Sequence, residues 1–355
     1  MTLTLNIKLI PDEEQNALLR DTARKFITLI NDILDCAYAV DDMPMLTSKT
    51  VHAALPSTLR GECCRTARSI WRKFKRGKVD TLPVLKKPAV KWNNQNYKVT
   101  DRDITFPVFV DGHSKRIAVR ACITDKQYAV LSTAKLGSLR ITQKSGKWIA
   151  QIAYETQETV SSGTGTMGVD LGIKCPAVCV CDNGKKRFFG NGRKNKAMRR
   201  RYASRRRKLQ KQNKQRAVKR IGDKENRIMR DIDHKVSRQI VNFAVENGVK
   251  TIKLETLSGI RKRIAAKVKG NSGPARKSRK NNYFKNTWSF YRLAHYIEYK
   301  AKLVGIDVMY VSPAYTSQTC PKCGKHNHAD DREYLCDCGY HSHRDLVGAT
   351  NILAA

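Results

Sequence analysis

The chain has 355 residues, too many for one hydrophobic core, so two or three domains are expected. Apolar residues make up 41% of the sequence, which is enough for real cores and excludes an intrinsically disordered protein. Its 69 Lys and Arg against 31 Asp and Glu give a net charge of +38 at pH 7. Because such a charge repels itself, the composition disfavours an enzyme of small metabolites and indicates a polyanionic partner, either nucleic acid or an anionic membrane.

The membrane alternative has little support in the sequence. No apolar run approaches the ~20 residues of a spanning helix. The amino-terminal segment 1–10 runs directly into the acidic segment 11–14 and lacks the layout of a signal peptide. The eleven cysteines are therefore expected to be reduced, so that clustered ones are metal ligands before they are disulfides. We expect a cytoplasmic protein that binds nucleic acid.

The first 160 residues predict a strand, two helices and a β-rich region. Residues 3–10 alternate like a strand, and a helix is expected to begin near Pro11. A second helix over about 57–75 is apolar on one side and basic elsewhere. We interpret its cations as contacts to phosphate, against the alternative of a solvated face. From about 80 to 160 the short β-rich runs predict a small barrel or sandwich, and residues 161–166 have the composition of a linker.

After this linker the pattern becomes mixed α/β. The expected strands are 167–173, 177–181, 187–189, 249–255 and 306–311. A long helical region separates the third strand from the fourth, and a helix over about 286–304 precedes the fifth. A cysteine-rich insert then precedes a closing helix from Asp345 to Ala355. The order of elements is βββαβαβα, interrupted near its end.

Three acidic residues interrupt apolar segments of this second half. Asp170 lies within the first strand, Glu255 ends the fourth, and Asp345 opens the last helix. Taken singly, Asp345 is compatible with a helix N-cap, and the other two with surface charges at strand ends. Together they favour one site, because clustered carboxylates repel and a divalent metal is the usual compensation. A pair of Mg²⁺ ions held in this way clamps the attacking and leaving oxygens of a phosphodiester.

The cysteine-rich insert has metal-ligand spacing. Cys320 and Cys323 form a C-x-x-C pair, and Cys336 and Cys338 follow after twelve residues. Two such thiolate pairs suit a tetrahedral structural Zn²⁺, with free surface thiols as the alternative. The second pair is one residue shorter than the usual spacing, so His341 or His343 remains an alternative ligand. Elsewhere, Cys179 and Cys181 fall on one face of a strand, where packing is the better interpretation.

Two basic runs account for much of the positive charge. Residues 193–220 contain fifteen Lys and Arg and no acid, and residues 261–280 contain nine and no acid. We interpret both as nucleic-acid contacts, against a solvated helix and a tail-like loop, and the second run as a lid over the active site. Arg344 is compatible with a contact to the scissile phosphate and equally with a surface salt bridge. The nucleic-acid-binding candidates are Arg68, Arg72, Lys73, Lys75, Arg199, Arg200, Arg201, Arg205, Arg206, Arg207, Lys208 and Arg344.

Three segments carry a resemblance to a known family. Residues 168–173, 252–257 and 344–352 resemble the three split motifs of a RuvC-type, RNase H-like nuclease. More specifically they resemble TnpB, the transposon-encoded RNA-guided nuclease (OrfB of insertion sequences) related to compact type V CRISPR effectors. The match is specific from about residue 165 onward, and before that it rests on the layout of elements. The resemblance implies that Asp170, Glu255 and Asp345 are catalytic acids that hold two Mg²⁺ ions.

The resemblance also implies a multidomain α+β and α/β architecture. We expect an RNase H-like (RuvC) nuclease domain with an inserted zinc ribbon that binds one structural Zn²⁺ through Cys320, Cys323, Cys336 and Cys338. A β-barrel wedge domain with an inserted helical recognition lobe should precede it. The expected boundaries are 1–10 for the first wedge strand, 11–78 for the helical lobe, 79–160 for the barrel, 161–166 for the linker, 167–313 for the first part of the nuclease, 314–341 for the zinc ribbon and 342–355 for the last nuclease helix.

The function implied is RNA-guided cleavage of DNA. The expected partners are a guide RNA and double-stranded target DNA, with one RNA bound to a monomer and with action at the prokaryotic nucleoid. A nuclease-silent RNA-guided repressor would be expected to have lost an acid, and all three are present. A plain zinc-ribbon nucleic-acid-binding protein leaves the acids without a role, and an unguided RuvC-type nuclease needs less basic surface. A compact type V CRISPR effector remains an alternative to a transposon-borne protein.

Overall fold

A computed structural model describes residues 1–157, 159, 161–257, 289–329 and 331–355. The chain divides into two compact units, Met1–Gln157 and Glu158–Ala355, each with its own hydrophobic core. No helix within the described ranges is long and apolar enough to cross a lipid bilayer. The second basic run, 261–280, and the lid expected from it lie outside the described residues.

The first unit combines a large antiparallel sheet with three helices. Its strands form one seven-stranded sheet in the order β2-β6-β7-β1-β5-β4-β3. Ser145 and Gly146, both with positive φ, make the tight turn of the predicted hairpin between β6 and β7. The elements are β1 (Thr2–Leu9), α1 (Glu13–Ala39), α2 (Ser57–Lys75), β2 (Ala89–Trp92), β3 (Lys98–Val99), β4 (Asp103–Val110), β5 (His113–Cys122), α3 (Asp125–Thr133), β6 (Leu136–Lys144) and β7 (Lys147–Glu155).

The helices of this unit show how local chemistry sets their ends. α1 begins after Asp12, whose side chain accepts a hydrogen bond from the amide of Gln15 at 2.8 Å. α3 was not expected within the β-rich region, yet it begins with a complete capping box formed by Thr124 and Gln127. The sequence from Thr124 to Gln127 fits the S/T-x-x-E/Q pattern, so this helix start was readable before the structure.

The second unit is built on a mixed five-stranded sheet in the order β10-β9-β8-β11-β12. β8 pairs antiparallel with β9 and parallel with β11, which in turn pairs parallel with β12. The elements are β8 (Gly165–Asp170), β9 (Ala177–Cys181), β10 (Lys186–Phe189), α4 (Gly192–Lys211), α5 (Gln215–Ile221), α6 (Lys224–Glu246), β11 (Val249–Glu255), α7 (Phe290–Leu303), β12 (Asp307–Val311), β13 (Glu333–Leu335), β14 (His341–His343) and α8 (Arg344–Ala354). β13 and β14 form a separate two-stranded sheet.

Two expectations for this unit need correction. The long helical region is divided into α4, α5 and α6, with positive φ at Asn213 and Gly222 between them. The expected linker 161–166 is only partly a linker, because β8 begins at Gly165. Gly165 donates a backbone hydrogen bond to Gly248 at 3.0 Å, so glycine there permits close approach of two backbones rather than flexibility.

Close packing between β8 and α8 brings the last helix onto the sheet. A Cβ added at Gly168 in the middle of β8 would lie 2.6 Å from the backbone nitrogen of Leu353 in α8. Only glycine therefore allows this contact without displacement of the helix. Cys179 and Cys181 on the neighbouring strand are fully buried, and their packing role is confirmed. The sheet and α8 together form the frame of the site described next.

Candidate active site and metal centre

The structure brings the three predicted acids to one end of the sheet. Asp170 and Glu255 are the last residues of β8 and β11, which are parallel neighbours with Val169 opposite Leu254. Asp345 is the second residue of α8, the helix that packs on β8. A Cβ added at Gly348, one turn further along α8, would lie 3.2 Å from Asp170 Oδ2. Three segments that are far apart in the chain thus converge.

The electrostatics of the cluster show that these carboxylates act on one another. Burial raises the pKa of Asp170 to about 8, and the negative charges of Glu255 and Asp345 add to that effect. The cations of Arg332 and Arg344 oppose it. Burial also raises the pKa of Glu255, against a hydrogen bond from Thr316. The two arginines therefore offset only part of the negative charge around Asp170.

Asp345 has its own partner, and it does not cap its helix. The N-cap of α8 is His343, whose Nδ1 accepts from the Asp345 amide at 3.2 Å. The interpretation of Asp345 as an N-cap is therefore wrong, and its carboxylate is free of that role. Arg332 donates to Asp345 Oδ1 in a salt bridge. Arg344 donates to the backbone carbonyl of Ala329 at 3.1 Å.

Glu255 is held by a residue that sequence reasoning missed. Thr316, in the segment after β12, donates from Oγ1 to Glu255 Oε1. Among the described residues, no hydrogen bond or ion pair involves Glu255 Oε2. Arg332 was likewise missed, because both residues lie in the irregular insert, where no periodicity shows which way a side chain points.

The acid cluster fits a hard divalent cation. Mg²⁺ is bound through carboxylate oxygens, and the negative charges of Glu255 and Asp345 act on Asp170. Among the described residues, the four thiols and not these acids form a group of close ligand atoms. A cation at the acids would offset the burial and the neighbouring negative charges that raise the pKa of Asp170. Glu255 Oε2 and the second oxygen of Asp345 are the atoms that the described contacts leave for it.

The thiol cluster fits a tetrahedral zinc site. The four sulfur atoms of Cys320, Cys323, Cys336 and Cys338 lie within 4.8 Å of one another. Cys320 and Cys338, and likewise Cys323 and Cys336, are separated by 3.6 Å. A tetrahedron with Zn–S bonds of about 2.3 Å has edges of about 3.8 Å, so the spacing matches.

Neither alternative histidine belongs to this group of close sulfur atoms. His343 caps α8 and meets the ring of Phe188 edge-on, with centroids 5.2 Å apart. His341 lies 4.0 Å from the carboxylate of Glu333. The shorter spacing of the second cysteine pair is therefore compatible with a site made of four thiols.

The basic face of α4 divides into two groups. Arg199 and Arg206 lie 3.5 and 2.6 Å from the buried carboxylate of Glu225 in α6. These two candidates thus have partners inside the protein and hold α4 to α6. The remaining candidates on this helix are exposed: Arg200, Arg201, Arg205, Arg207 and Lys208.

The predicted cations of α2 also differ among themselves. Arg68 donates to the carbonyl of Leu46, and Lys75 lies 2.7 Å from Asp41, whereas Arg72 and Lys73 are exposed. Beside them is a cavity of about 330 Å³, lined by Arg65, Arg68, Ser69, Arg72, Lys73, Arg76 and Lys78. Six cations and no acid around one concavity suit an anionic ligand.

A buried lysine joins α6 and α7 away from these groups. Lys300 is 4% exposed and donates to the carbonyl of His234 at 2.6 Å and to Ser237 Oγ at 2.7 Å. Burial lowers the pKa of Lys300 to about 8. Its hydrogen-bond partners within the described part of the chain are neutral, so polar contacts and not a carboxylate stabilise this charge there.

Comparison with known proteins follows this geometry. A family model described as "Probable transposase" matches residues 150–261, and one described as "Cas12f1-like, TNB domain" matches residues 290–352. A TnpB-like protein of Methanocaldococcus jannaschii is 34% identical over 161 residues, which cover 42% of this chain and 53% of that protein. The second half of the chain is therefore similar to TnpB-like proteins.

Two CRISPR-associated endodeoxyribonucleases named Cas12f1 are also similar to this chain. The one from Sulfoacidibacillus thermotolerans is 27% identical over 77% of this chain, and the one from Syntrophomonas palmitatica is 26% identical over 96%. The alignments cover 63% and 75% of those proteins. A solved structure of Cas12f1 with sgRNA and target DNA has a TM-score of 0.72, at 14% identity, over 99% of this chain and 98% of that chain. The fold is therefore that of a compact Cas12f effector.

Proposed function

We propose that this protein is a metal-dependent, RNA-guided DNA endonuclease of the TnpB family. The observation that carries the proposal is the convergence of Asp170, Glu255 and Asp345, three acids from distant segments, on one frame of sheet and helix. A binding protein would have no evident use for a buried Asp170 whose pKa is raised by burial and by the negative charges of Glu255 and Asp345. The relatives whose names describe RNA-guided or DNA-cleaving enzymes support the same function for this chain.

The three acids would hold Mg²⁺ ions, two per site. Bound there, the ions would supply activation of water and stabilisation of charge on the scissile phosphodiester. The protein's own part is orientation and charge. Arg332 donates to Asp345 Oδ1, and Thr316 donates to Glu255 Oε1. Each contact orients its carboxylate and leaves the second oxygen for a cation. The raised pKa of Asp170 means that this carboxyl retains a proton near neutral pH until a cation favours its charged form.

The basic surfaces are proposed to hold a guide RNA. The exposed face of α4 and the cation-lined cavity beside α2 offer phosphate contacts in each unit, and the chain as a whole carries +38. Base pairing between guide and target would then supply sequence specificity, with the protein reading a short flanking motif on double-stranded DNA. One RNA bound to one chain is the simplest assembly.

The finer architecture is proposed along the same lines. Three antiparallel strands followed by two parallel ones, with a last helix that carries an acid, support an RNase H-like (RuvC) nuclease over 167–313 and 342–355. The four thiols support a zinc ribbon over 314–341 that binds one Zn²⁺. In the first unit, β1 with the strands after residue 79 would be the barrel of the wedge domain. α1 and α2 would be its inserted helical lobe.

The test compares cleavage with and without RNA. The protein, produced together with its RNA locus, should co-purify with one dominant RNA species and should cut a matched duplex when Mg²⁺ is present. A change in the RNA segment that pairs with the target should redirect the cut to a new sequence beside the same flanking motif. Equal cutting of matched and mismatched DNA without RNA would leave a nuclease and remove the guide. Binding without any cutting would favour the RNA-guided repressor.

A further inference from the structure

We propose that Thr316 is a positioning residue for Glu255, the second acid. We also propose that the side chain of Asn351 holds the backbone of Thr316 in place. The inference rests on the proposed function, because it concerns how Glu255 presents itself to a metal. It starts from one contact, the hydrogen bond from Thr316 Oγ1 to Glu255 Oε1. Thr316 is 9% exposed, and it reaches Glu255 from an irregular segment, where a side-chain position needs support from elsewhere.

That support comes from α8, the helix that carries the third acid. Asn351 donates from Nδ2 to the carbonyl oxygens of Thr316 and Thr319, both at 2.7 Å. One amide group therefore ties the segment to α8 at two points. Asn351 lies nearly two turns after Asp345 on the same helix, so the backbone beside the second acid is anchored to the element of the third.

The thiol cluster anchors the other end of this segment. Tyr334, fully buried beside the cysteines, donates from its hydroxyl to the carbonyl of Gln318 at 2.9 Å. Cys320 follows two residues later in the chain. Tyr315, just before Thr316, has a φ of +58°, a left-handed conformation that a tyrosine adopts only when its surroundings impose it. The position of the Thr316 hydroxyl is thus set from both sides.

The chemical consequence concerns the free oxygen of Glu255. A donor on Oε1 orients the carboxylate and leaves Oε2 for a cation. It also favours the charged form that a cation requires, in opposition to the effect of burial. Partners of this kind, which orient a metal ligand without touching the metal, change metal affinity by about 10–100-fold when they are removed.

The test uses Mn²⁺ as the probe and three variants of the full chain. Thr316→Val removes the hydroxyl and keeps the shape, while Thr316→Ser keeps the hydroxyl. Thr133→Val is the matched control, because Thr133 lies in α3 of the first unit, where its hydroxyl donates to the carbonyl of Ala129 at 2.8 Å. Free Mn²⁺ is measured by electron paramagnetic resonance in RNA-free, zinc-loaded protein, and melting temperatures show that each variant is folded.

Thr316→Val should weaken Mn²⁺ binding about tenfold or more and raise the metal concentration for half-maximal cleavage by the same factor. Thr316→Ser should stay within about threefold of wild type, and Thr133→Val should match wild type. Unchanged Mn²⁺ affinity in Thr316→Val would overturn the proposal, as would a loss in Thr316→Ser as large as in Thr316→Val. Glu255→Gln separates the two levels of inference. If Glu255→Gln binds Mn²⁺ and cleaves like wild type, the proposed active site itself is wrong, whatever the Thr316 variants do.

Discussion

The second unit contains two clusters of like-charged ligands that are assembled in opposite ways. The thiol cluster draws all four sulfurs from one short insert, Cys320 to Cys338. The acid cluster draws Asp170, Glu255 and Asp345 from two strands and a helix, each far from the next in the chain. The thiol ligands all come from one stretch of chain, whereas the acid ligands meet only when two strands and a helix pack together. The difference separates a site that supports the fold from one that depends on it.

The largest expected effect is the loss of any one acid. Asp170→Ala, Glu255→Ala or Asp345→Ala should lower the rate of Mg²⁺-dependent DNA cleavage by roughly a thousandfold or more, with guide and target binding retained. Asp231→Asn is the control, because Asp231 is an exposed acid of the same unit, paired with Lys235 at 2.7 Å. Single-turnover cleavage and filter binding provide the two readouts. Wild-type cutting by one of the three variants would remove that residue from the active site.

A smaller effect on cleavage is expected from the thiol cluster. Cys336→Ser should reduce the zinc content from about one per chain to near zero and lower the melting temperature, since a structural zinc contributes to folding. His343→Ala should keep its zinc and cost about 1 kcal/mol of stability through the lost N-cap of α8. Zinc is measured by mass spectrometry on undenatured protein. Full zinc in Cys336→Ser together with loss in His343→Ala would reverse the ligand assignment.

A prediction of intermediate size concerns the free energy of unfolding, to which the buried Lys300 contributes through neutral hydrogen-bond partners in the described residues. Its pKa in the folded protein is about 8, below the ordinary value of 10.5, so the folded state releases the proton first as the pH rises. The free energy of unfolding of wild type should therefore rise relative to Lys300→Met between pH 8 and 10.5, by about 3 kcal/mol in total. Urea titrations of both proteins across this range give the difference. A constant difference would show that Lys300 is not a perturbed buried cation.

The smallest expected effects distinguish two neighbouring arginines of α4. Arg205→Gln should weaken guide RNA binding only a few-fold and reduce the salt dependence of binding by one phosphate contact or less. Arg206→Gln should mainly lower stability, because it removes a partner of the buried Glu225. Equal effects of the two variants on both readouts would contradict the division of this helix into an inner and an outer basic face.

The contrast between the clusters also explains what the sequence could predict. The C-x-x-C and C-x-C pairs encode their site in local spacing, so four ligands were identifiable from a few residues. The three acids were identifiable because each interrupts an apolar element and because the motifs around them resemble a family. Thr316 and Arg332 were not, since both act from irregular backbone across the fold. Arg199 and Arg206 show the same limit, because a run of cations does not reveal which members turn toward a buried Glu225.

The close contact at Gly168 sets the distance between β8, which carries Asp170, and α8, which carries Asp345. With no side chain between them, β8 and the last helix approach until their backbones touch, at a separation that no rotamer can adjust. A single methyl group at this position would act as a wedge under α8 and move Asp345 away from Asp170. The missing side chain at Gly168, two residues before Asp170, thus sets how closely α8 approaches β8 and, with it, the spacing between the first and third acids.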